Sequence, residues 1–453
     1  MEKILEYIKK NEEHYLEELK ESLRFESISA DPSKKDEILK CANWFSERLE
    51  RMGFENAKVI STDGAPGVYA DWLHAGKDKP TVLVYGHYDV QPPDPLEKWK
   101  TPPFEPTIRD GYLYARGSSD DKGQLLTHLF ALESLLKING KLNVNVKIFI
   151  EGEEEGGTDG TANFVREHAD FLSCDVVALS DTSWFSEALP TIVYALRGMC
   201  YLDVRIKGPN RDLHSGVYGG KVQNPLNAMA RIIAGLQDEK GKIKIDGFYD
   251  DVLKLTDQER SEFKKVGDDD KDMMRDLELT ALWGEEGFTS NERNWARPSI
   301  DVHGIWGGFS GEGAKTVIAA ECGFKISSRL VPNQDPKKIA KLYEAYIKKI
   351  APPGITVDVK ALHGAKPVMF PTDSKYMKAA LDAFEKGFHK RPVLVREGAS
   401  IPLTETFLTA LKAPSILLGF GLAGDNIHSP NERFKLGHFY RGIVTCFYFY
   451  HSL

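Results

Sequence analysis

The first part of the chain alternates amphipathic stretches with short apolar runs. Residues 1–25 and 34–52 carry apolar positions at helical spacing, which predicts two helices. Residues 81–86 form a continuous apolar run, which is typical of a strand buried on both faces. The same alternation continues through a helix at 120–138, a strand at 144–150, a helix at 159–168 and a strand at 175–179. This order predicts an α/β domain with a largely buried sheet.

From about residue 197 the pattern changes. It predicts a strand at 199–207, a helix at 224–236, strands at 299–304 and 317–330, a helix at 337–350 and a strand at 356–362. The order β-α-β-β-α-β is that of a ferredoxin-like domain, in which two helices cover one face of an antiparallel sheet. A charged segment at 246–293 interrupts this order, and its run 268–270 of three aspartates is interpreted as exposed surface.

After residue 371 the first pattern returns. It predicts helices at 374–387, 401–410 and 434–450, and a strand at 415–419. The sequence therefore predicts an α/β domain made of residues 1–197 and 372–453, interrupted by an inserted domain at 198–371.

Composition excludes several classes of function. The 453 residues carry a formal net charge of -8 with a sequence pI near 5.9, which gives no basic face for nucleic acid. No run of about 18 apolar residues predicts a membrane span, and the charged N-terminus does not resemble a signal peptide. The five cysteines contain no CxxC pair, which argues against a disulfide framework. We expect a cytoplasmic protein without a membrane or nucleic-acid partner.

Histidine and carboxylate side chains follow the predicted strands. His87 and Asp89 come directly after the run 81–86, and ligands in open α/β sheets lie beyond the carboxyl ends of strands. Asp89 could orient His87 for a metal ion, although for an isolated HxD pair a loop histidine with a local hydrogen bond is the favoured interpretation. Asp181 likewise follows the strand at 175–179.

Two acidic segments precede predicted helices. In the Gly/Ser-rich turn at 115–123, Asp120 is the candidate ligand, whereas Asp121 is also suited to be a helix N-cap. Residues 153–155 are three consecutive glutamates at the end of a predicted strand, where one can bind a cation and another can act as a general base. A solvated turn is the alternative interpretation.

A distant segment at 424–432 adds His428. Imidazoles combined with carboxylates suit zinc or manganese, or cobalt in vitro. One carboxylate shared by two ions would place them roughly 3.5–4 Å apart, as in two-metal hydrolases.

Together, these motifs resemble the co-catalytic zinc exopeptidases, the family of aminoacylases, acetylornithine deacetylase and glutamate carboxypeptidases. The motifs are HxD at 87–89, ARGSSDDKG at 115–123, EGEEEGG at 151–157, SD at 180–181 and IHSPNE at 427–432. Further segments resemble the branch of cytosolic nonspecific dipeptidase and carnosine dipeptidase, namely 196–198, 212–220, 309–311, 313–318, 328–333 and 396–402. The similarity runs from about residue 15 to the C-terminus.

The resemblance implies a role for each motif residue. His87 and Asp181 would bind one divalent ion, Glu155 and His428 the other, and Asp120 would bridge the two. The expected ions are Zn²⁺, with Mn²⁺ or Co²⁺ as alternatives. Asp89 would support His87, the Asp120–Asp121 peptide bond would be cis, and Glu154 would be the general base that activates a metal-bridging water. Because a third acid, Glu153, precedes this pair, a slip of one residue would exchange the roles.

The inserted domain resembles the lid and dimerisation domain of the family. In a homodimer, His214 would reach into the partner's site and stabilise the tetrahedral oxyanion. Arg329 would bind the substrate carboxylate, since its planar guanidinium can pair with both oxygens. Thr316, His363 and Ser400 would assist it.

We therefore expect a metal-dependent dipeptidase that hydrolyses dipeptides or short peptides with a free C-terminal carboxylate. One alternative is an N-acyl-amino-acid deacylase that uses the same ions. Another is an inactive binding protein on the same scaffold, against which the complete set of expected ligands argues.

Overall fold

The predicted strands and helices are present along most of the chain, and the computed structural model describes residues 1–267 and 270–453. Asp268 and Asp269, expected on an exposed surface, lie outside the described residues. The helices are α1 (Glu2–Lys10), α2 (Glu12–Leu23), α3 (Lys35–Met52), α4 (Lys122–Asn139), α5 (Gly160–Glu167), α6 (Ser215–Tyr218), α7 (Pro225–Ala234), α8 (Asp257–Val266), α9 (Asp270–Asp276), α10 (Ser290–Ala296), α11 (Pro336–Ile350), α12 (Lys375–Phe388), α13 (Leu403–Thr406) and α14 (Leu436–Ser452).

The strands, like the helices, are distributed along the chain. They are β1 (Glu55–Ile60), β2 (Gly67–Trp72), β3 (Thr81–His87), β4 (Thr107–Arg109), β5 (Tyr112–Tyr114), β6 (Asn145–Glu151), β7 (Val176–Leu179), β8 (Ser183–Trp184), β9 (Thr191–Leu196), β10 (Gly198–Lys207), β11 (Leu213–His214), β12 (Ser299–Gly307), β13 (Val317–Ile318), β14 (Glu321–Leu330), β15 (Thr356–Ala365), β16 (Val368–Met369), β17 (Val393–Glu397), β18 (Ser415–Leu417), β19 (Gly421–Leu422) and β20 (Arg433–Lys435). No helix in the described ranges is long and apolar enough to cross a membrane.

The chain divides into two units. The first unit comprises Met1–Tyr194, Phe370–Leu394 and Leu403–Leu453, and the second comprises Ala195–Met369 and Val395–Pro402. The second unit thus includes Val395–Pro402, which was predicted to belong to the α/β domain.

A mixed sheet forms the centre of the first unit. Its strands follow the order β1-β2-β6-β3-β7-β18-β9, and β3 pairs in parallel with both β6 and β7. Helices α3, α4, α12 and α14 contact the sheet or one another. The apolar run at β3 and the neighbouring β6 are buried, as expected for parallel strands covered by helices. Since β3, β6 and β7 are parallel, the residues after each strand meet at one edge of the sheet.

The second unit contains the predicted ferredoxin-like fold. Its four antiparallel strands follow the spatial order β12-β14-β10-β15, while their order along the chain with α7 and α11 is β-α-β-β-α-β. Leu202 and Phe324 of the sheet form one core with Ile232 of α7 and Tyr343 of α11. The two helices therefore cover one face of the sheet, and the other face is left for polar residues.

Two predicted elements are interrupted. The helix predicted at 1–25 breaks at Asn11 into α1 and α2, and the strand predicted at 317–330 divides into β13 and β14. The fold class is nevertheless confirmed as a mixed α/β sheet flanked by helices.

Candidate metal centre

His87 is the last residue of β3, and its side chain is completely buried. Its Nδ1 lies 3.1 Å from the carbonyl oxygen of Asp89, which can only accept a hydrogen bond. Nδ1 therefore donates, and the lone pair of a neutral imidazole is on Nε2. Nε2 lies 3.1 Å from Asp120 Oδ1 and 4.0 Å from Asp181 Oδ2. The ring thus presents a ligand nitrogen beside two carboxylates.

His428 lies in the loop between β19 and β20 and adopts a left-handed backbone conformation with φ of 58°. Asn426 and Asn431 in the same loop also have positive φ. Such conformations cost of order 1–3 kcal/mol each and persist where the surrounding structure holds them. The His428 Nε2 lies 2.9 Å from Asp120 Oδ2 and 3.0 Å from Glu155 Oε1.

Asp120 connects these two groups of ligand atoms, because its Oδ1 faces His87 and its Oδ2 faces His428. Within each group the possible ligand atoms lie within 4.8 Å of one another. Four bonds of about 2.1 Å in a tetrahedron would separate neighbouring ligand atoms by roughly 3.4 Å. The observed distances of 2.9–4.0 Å bracket this value, so the residues fit divalent cations.

The charge at this edge of the sheet also favours cations. Burial, together with the nearby Asp120 carboxylate, raises the pKa of Asp181 to about 7. Hydrogen bonds to Asp120 and Glu155 raise the pKa of His428 to about 10, against the effect of burial. In the described part of the chain, the ion pairs that involve Asp120, Asp181 or Glu155 are all with His87 or His428. Divalent cations would supply the positive charge that two imidazoles do not.

The three consecutive glutamates point to different partners. Glu153 is buried and accepts hydrogen bonds from Ala65 N at 2.8 Å, Thr158 Oγ1 at 2.6 Å and Thr161 N at 3.1 Å. This carboxylate therefore anchors neighbouring backbone. Its burial in a hydrogen-bonded network supports the register in which the next two acids face the candidate metal centre.

Glu154 and Glu155 are both close to the ligands. Glu155 faces His428 through Oε1, and its Oε2 accepts a 2.8 Å hydrogen bond from Gln91 Nε2. Burial raises the pKa of Glu154 well above its usual value; His87 opposes this shift, and Asp181 adds to it. Among the described residues no hydrogen bond to the Glu154 side chain is present, so its oxygens are available to a substrate or a water.

Asp89 joins the first ligand to the glutamate loop. Its carboxylate accepts hydrogen bonds from Ser29 Oγ at 2.6 Å, Glu154 N at 3.2 Å and Glu155 N at 3.0 Å, and lies 3.4 Å from His87 Nδ1. A single buried carboxylate thus orients the imidazole and holds the backbone of both glutamates. This contact extends the expected role of Asp89 in supporting His87.

Asp121 occupies the N-cap position of α4, but its side chain makes no capping hydrogen bond. Instead, its Oδ2 accepts a 3.3 Å hydrogen bond from His87 N. The expected cis peptide bond between Asp120 and Asp121 is present. The N-cap interpretation of Asp121 is therefore correct in position but not in hydrogen bonding.

The second unit brings together two of the predicted substrate contacts. Arg329 Nη1 donates to Ser400 Oγ at 3.3 Å, and Ser400 Oγ donates to the carbonyl oxygen of Arg197 at 2.5 Å. Burial, together with the neighbouring Arg329 guanidinium, lowers the pKa of Arg197 to about 10. Arg329 forms no ion pair within the described ranges. Two adjacent guanidinium groups, neither of which forms an ion pair among the described residues, are a surface suited to an anion.

His363 lies on the same sheet face as Arg329, because Tyr201 is opposite His363 and Met199 is opposite Arg329 in register. The rings of His363 and Tyr201 stack with centroids 4.9 Å apart.

Thr316 instead lies beside His214, since Thr316 O accepts a hydrogen bond from Ser215 N at 3.2 Å. His214 is exposed, and its Nδ1 accepts a 3.0 Å hydrogen bond from Gly216 N. In the neutral ring its Nε2 therefore carries the proton and can act as a donor.

Three residues near these groups were not predicted from the sequence. They are Gln91, Arg197 and Glu432. Arg197 and Glu432 belong to motifs quoted above, but nothing in their residue type or spacing distinguishes a structural from a functional role.

Comparison with known proteins identifies the family. Residues 83–450 match the model of "Peptidase family M20/M25/M40". The chain belongs to this family. Its relatives include the Cys-Gly metallodipeptidase dug1 of Schizosaccharomyces pombe, which is 31% identical over 100% of this chain and 98% of its own length. The Beta-Ala-His dipeptidase of Homo sapiens is 30% identical over 98% of this chain and 90% of its own length.

A solved structure supports the same assignment. The M20 family metallo-carboxypeptidase Sso-CP2 from Sulfolobus solfataricus superposes with a TM-score of 0.83. It is 33% identical, and the match covers 96% of this chain and 98% of that chain. The predicted family, and with it a metal-dependent hydrolase of the peptidase type, is confirmed.

Proposed function

We propose that this chain is a metallodipeptidase with two divalent ions, Zn²⁺ in the first place and Mn²⁺ or Co²⁺ as alternatives. The first ion would be held by His87, Asp120 and Asp181, and the second by Asp120, Glu155 and His428. The observation that carries the proposal is that the two oxygens of Asp120 face different histidines.

When bound, such a pair of ions polarises a scissile carbonyl and lowers the pKa of an attacking water. The chain itself would provide the proton transfer. Glu154 would accept a proton from that water at a carboxylate oxygen and then deliver it to the nitrogen of the leaving amine. Burial and neighbouring carboxylates raise the pKa of Glu154, and both favour holding this proton between the two steps.

The substrate class follows from the relatives and from the second unit. The two curated relatives are named dipeptidases for Cys-Gly and for β-Ala-His, which supports a small peptide substrate and does not favour the deacylase alternative. Arg329 is proposed to bind the substrate carboxylate, with Thr316, His363 and Ser400 assisting. The absence of an ion pair to Arg329 among the described residues supports this role.

A homodimer would complete the site through His214. Its Nε2 is a donor, and removing one donor to an oxyanion typically costs about 10²–10³ in rate. Strand β12 is an edge strand whose Ile305 and Trp306 are 62% and 38% exposed. An edge strand of this kind is suited to pairing with a second copy of the chain. We also propose that the protein is cytoplasmic.

Substrate assays test the function directly. The purified chain, stripped of metal and reloaded with Zn²⁺, Mn²⁺ or Co²⁺, should hydrolyse Ala-Ala, Cys-Gly or β-Ala-His faster than N-acetylalanine. A tripeptide substrate separates a dipeptidase, which should leave it intact, from a carboxypeptidase, which should cleave it. Hydrolysis of N-acetylalanine alone would instead identify a deacylase.

Mixing two inactive variants tests the dimer. A heterodimer of His214→Ala and Glu154→Gln chains would carry both lesions in one site and none in the other, so activity should return. If subunit exchange is verified and no activity returns, His214 does not act across a dimer.

A further inference from the structure

Glu432 is a completely buried carboxylate to which the proposed mechanism gives no task. Its Oε1 accepts hydrogen bonds from Ser119 N at 2.9 Å and Asp120 N at 3.1 Å. Its Oε2 accepts from Gly117 N at 2.9 Å and from Arg116 Nη1 at 2.8 Å. A buried charge is costly unless it is paired and hydrogen-bonded, and these four donors meet that need.

The partners of Glu432 join two loops that are distant in sequence. Glu432 ends the loop that carries His428, and its four donors belong to the loop that carries Asp120. A second carboxylate at the start of the His428 loop does the same, because Asp425 Oδ2 accepts from Ser119 Oγ at 3.1 Å. The His428 loop itself is closed by a 2.9 Å hydrogen bond from Arg433 N to Asp425 O. The two loops therefore form one hydrogen-bonded unit.

We propose that Glu432 is a positioning residue for the metal centre, which rests on the proposed function. It fixes the main chain of residues 117–120 so that Asp120 presents one oxygen to each ion. Because Asp120 N is itself a partner of Glu432, a shift of this backbone moves both carboxylate oxygens together. Loss of Glu432 should thus weaken the binding of both ions.

Glu432→Gln is the informative substitution, since it nearly keeps the shape. An amide retains one acceptor oxygen and replaces the other with an NH₂ donor. That NH₂ group would face either the N–H groups of Ser119 and Asp120 or those of Gly117 and Arg116. Two of the four hydrogen bonds are lost in either orientation. Partners of metal ligands typically contribute about 10–100-fold to metal affinity, and a loss of this size is expected for both ions.

A purely structural role for Glu432 would predict a different result, and the chain offers a matched control. Arg48 and Glu133 form a second buried ion pair in the first unit, with Nη2 and Oε2 2.5 Å apart, and neither residue contacts a candidate ligand. Glu133→Gln should lower the melting temperature and leave metal affinity unchanged. The comparison separates loss of stability from loss of positioning.

The experiment uses the full chain with Zn²⁺ in competition with a chelating indicator, together with thermal unfolding and the visible absorption of the Co²⁺ form. Glu432→Gln should bind both ions 10–100-fold more weakly and alter the Co²⁺ spectrum, whereas Glu133→Gln should do neither. If Glu432→Gln does not fold, Glu432→Asp serves instead, since it keeps the charge but is too short for all four donors.

Wild-type affinity and spectrum in the folded Glu432 variant would overturn the positioning role. So would weakening of one ion alone, because Asp120 is shared by both. Failure of the wild-type chain to bind metal or cleave dipeptides would instead overturn the proposed function, so the two failures are distinguishable.

Discussion

Replacing Glu154 by glutamine separates proton transfer from metal binding. Glu154 belongs to neither group of candidate ligand atoms, so the substitution should leave the metal content unchanged. The amide cannot accept the proton from the attacking water. General bases contribute about 10²–10⁴-fold to turnover, which corresponds to a barrier increase of roughly 3–5.5 kcal/mol.

The expected effect of Glu154→Gln on the free energy of unfolding is small. Unlike the effect on turnover, it is neutral or favourable. Burial raises the pKa of Glu154, which means that the folded chain holds this carboxylate at a cost. No hydrogen bond to its side chain exists among the described residues, so glutamine breaks none. The free energy of unfolding of Glu154→Gln at neutral pH should therefore equal or slightly exceed that of the wild type.

Glu153→Gln is the matched control. One Glu153 oxygen accepts from Thr158 and Thr161, and the other accepts from Ala65. An amide nitrogen cannot replace either oxygen, and a buried donor left unpaired costs about 1–3 kcal/mol. This variant should lose stability while losing much less turnover than Glu154→Gln.

Metal analysis by mass spectrometry, kcat for Ala-Ala and chemical denaturation measure the three quantities on the same preparations. Two ions per chain with kcat reduced at least 100-fold in Glu154→Gln is the expected outcome. If Glu154→Gln keeps wild-type kcat and Glu153→Gln loses it, Glu154 is not the general base and that role belongs to Glu153.

Three further substitutions test other parts of the molecule. Asp120→Ala should release both ions and abolish activity, and tight retention of two ions in metal analysis would show that another carboxylate bridges them. Arg329→Met should raise KM for Ala-Ala about 10–150-fold, since a hydrogen bond to a charged group contributes about 1.5–3 kcal/mol, and should not raise KM for the amidated dipeptide. His128 is fully buried between Tyr450 and Ser180, and burial lowers its pKa to about 3. Because the unfolded histidine titrates near 6.5, its contribution is complete above that pH and falls by about 2 kcal/mol on acidification to pH 5. In denaturation curves, His128→Gln should lose less stability than the wild type between pH 7 and pH 5.

Much of the candidate site could be predicted because strand ends are visible in the sequence. His87 and Asp181 each follow a short apolar run, and parallel strands bring such positions to one edge. Strands β10 and β14 of the ferredoxin-like domain were equally visible, since each is long and has one strongly apolar face.

Other elements gave weaker signals. Strand β1 lies at the edge of the first sheet and is largely exposed, so its residues lack apolar alternation. Its neighbour β2 is short and contains the polar Asp71, which is hydrogen-bonded by Asn56 and Tyr69. Helices α8 and α9 in the charged segment also have few buried residues. Tertiary pairing, more than local pattern, determines these elements.

The carboxylates around the metal centre differ in the groups they contact, and these contacts cannot be predicted from the sequence. The ligand loops have few regular backbone partners, so their buried N–H groups need other acceptors. Asp89, Glu153 and Glu432 each accept at least two such backbone bonds. Asp120 and Asp181 face imidazoles instead. Acids of the first kind hold the loops and acids of the second kind are available to cations, although both kinds are carboxylates from the same group of motifs.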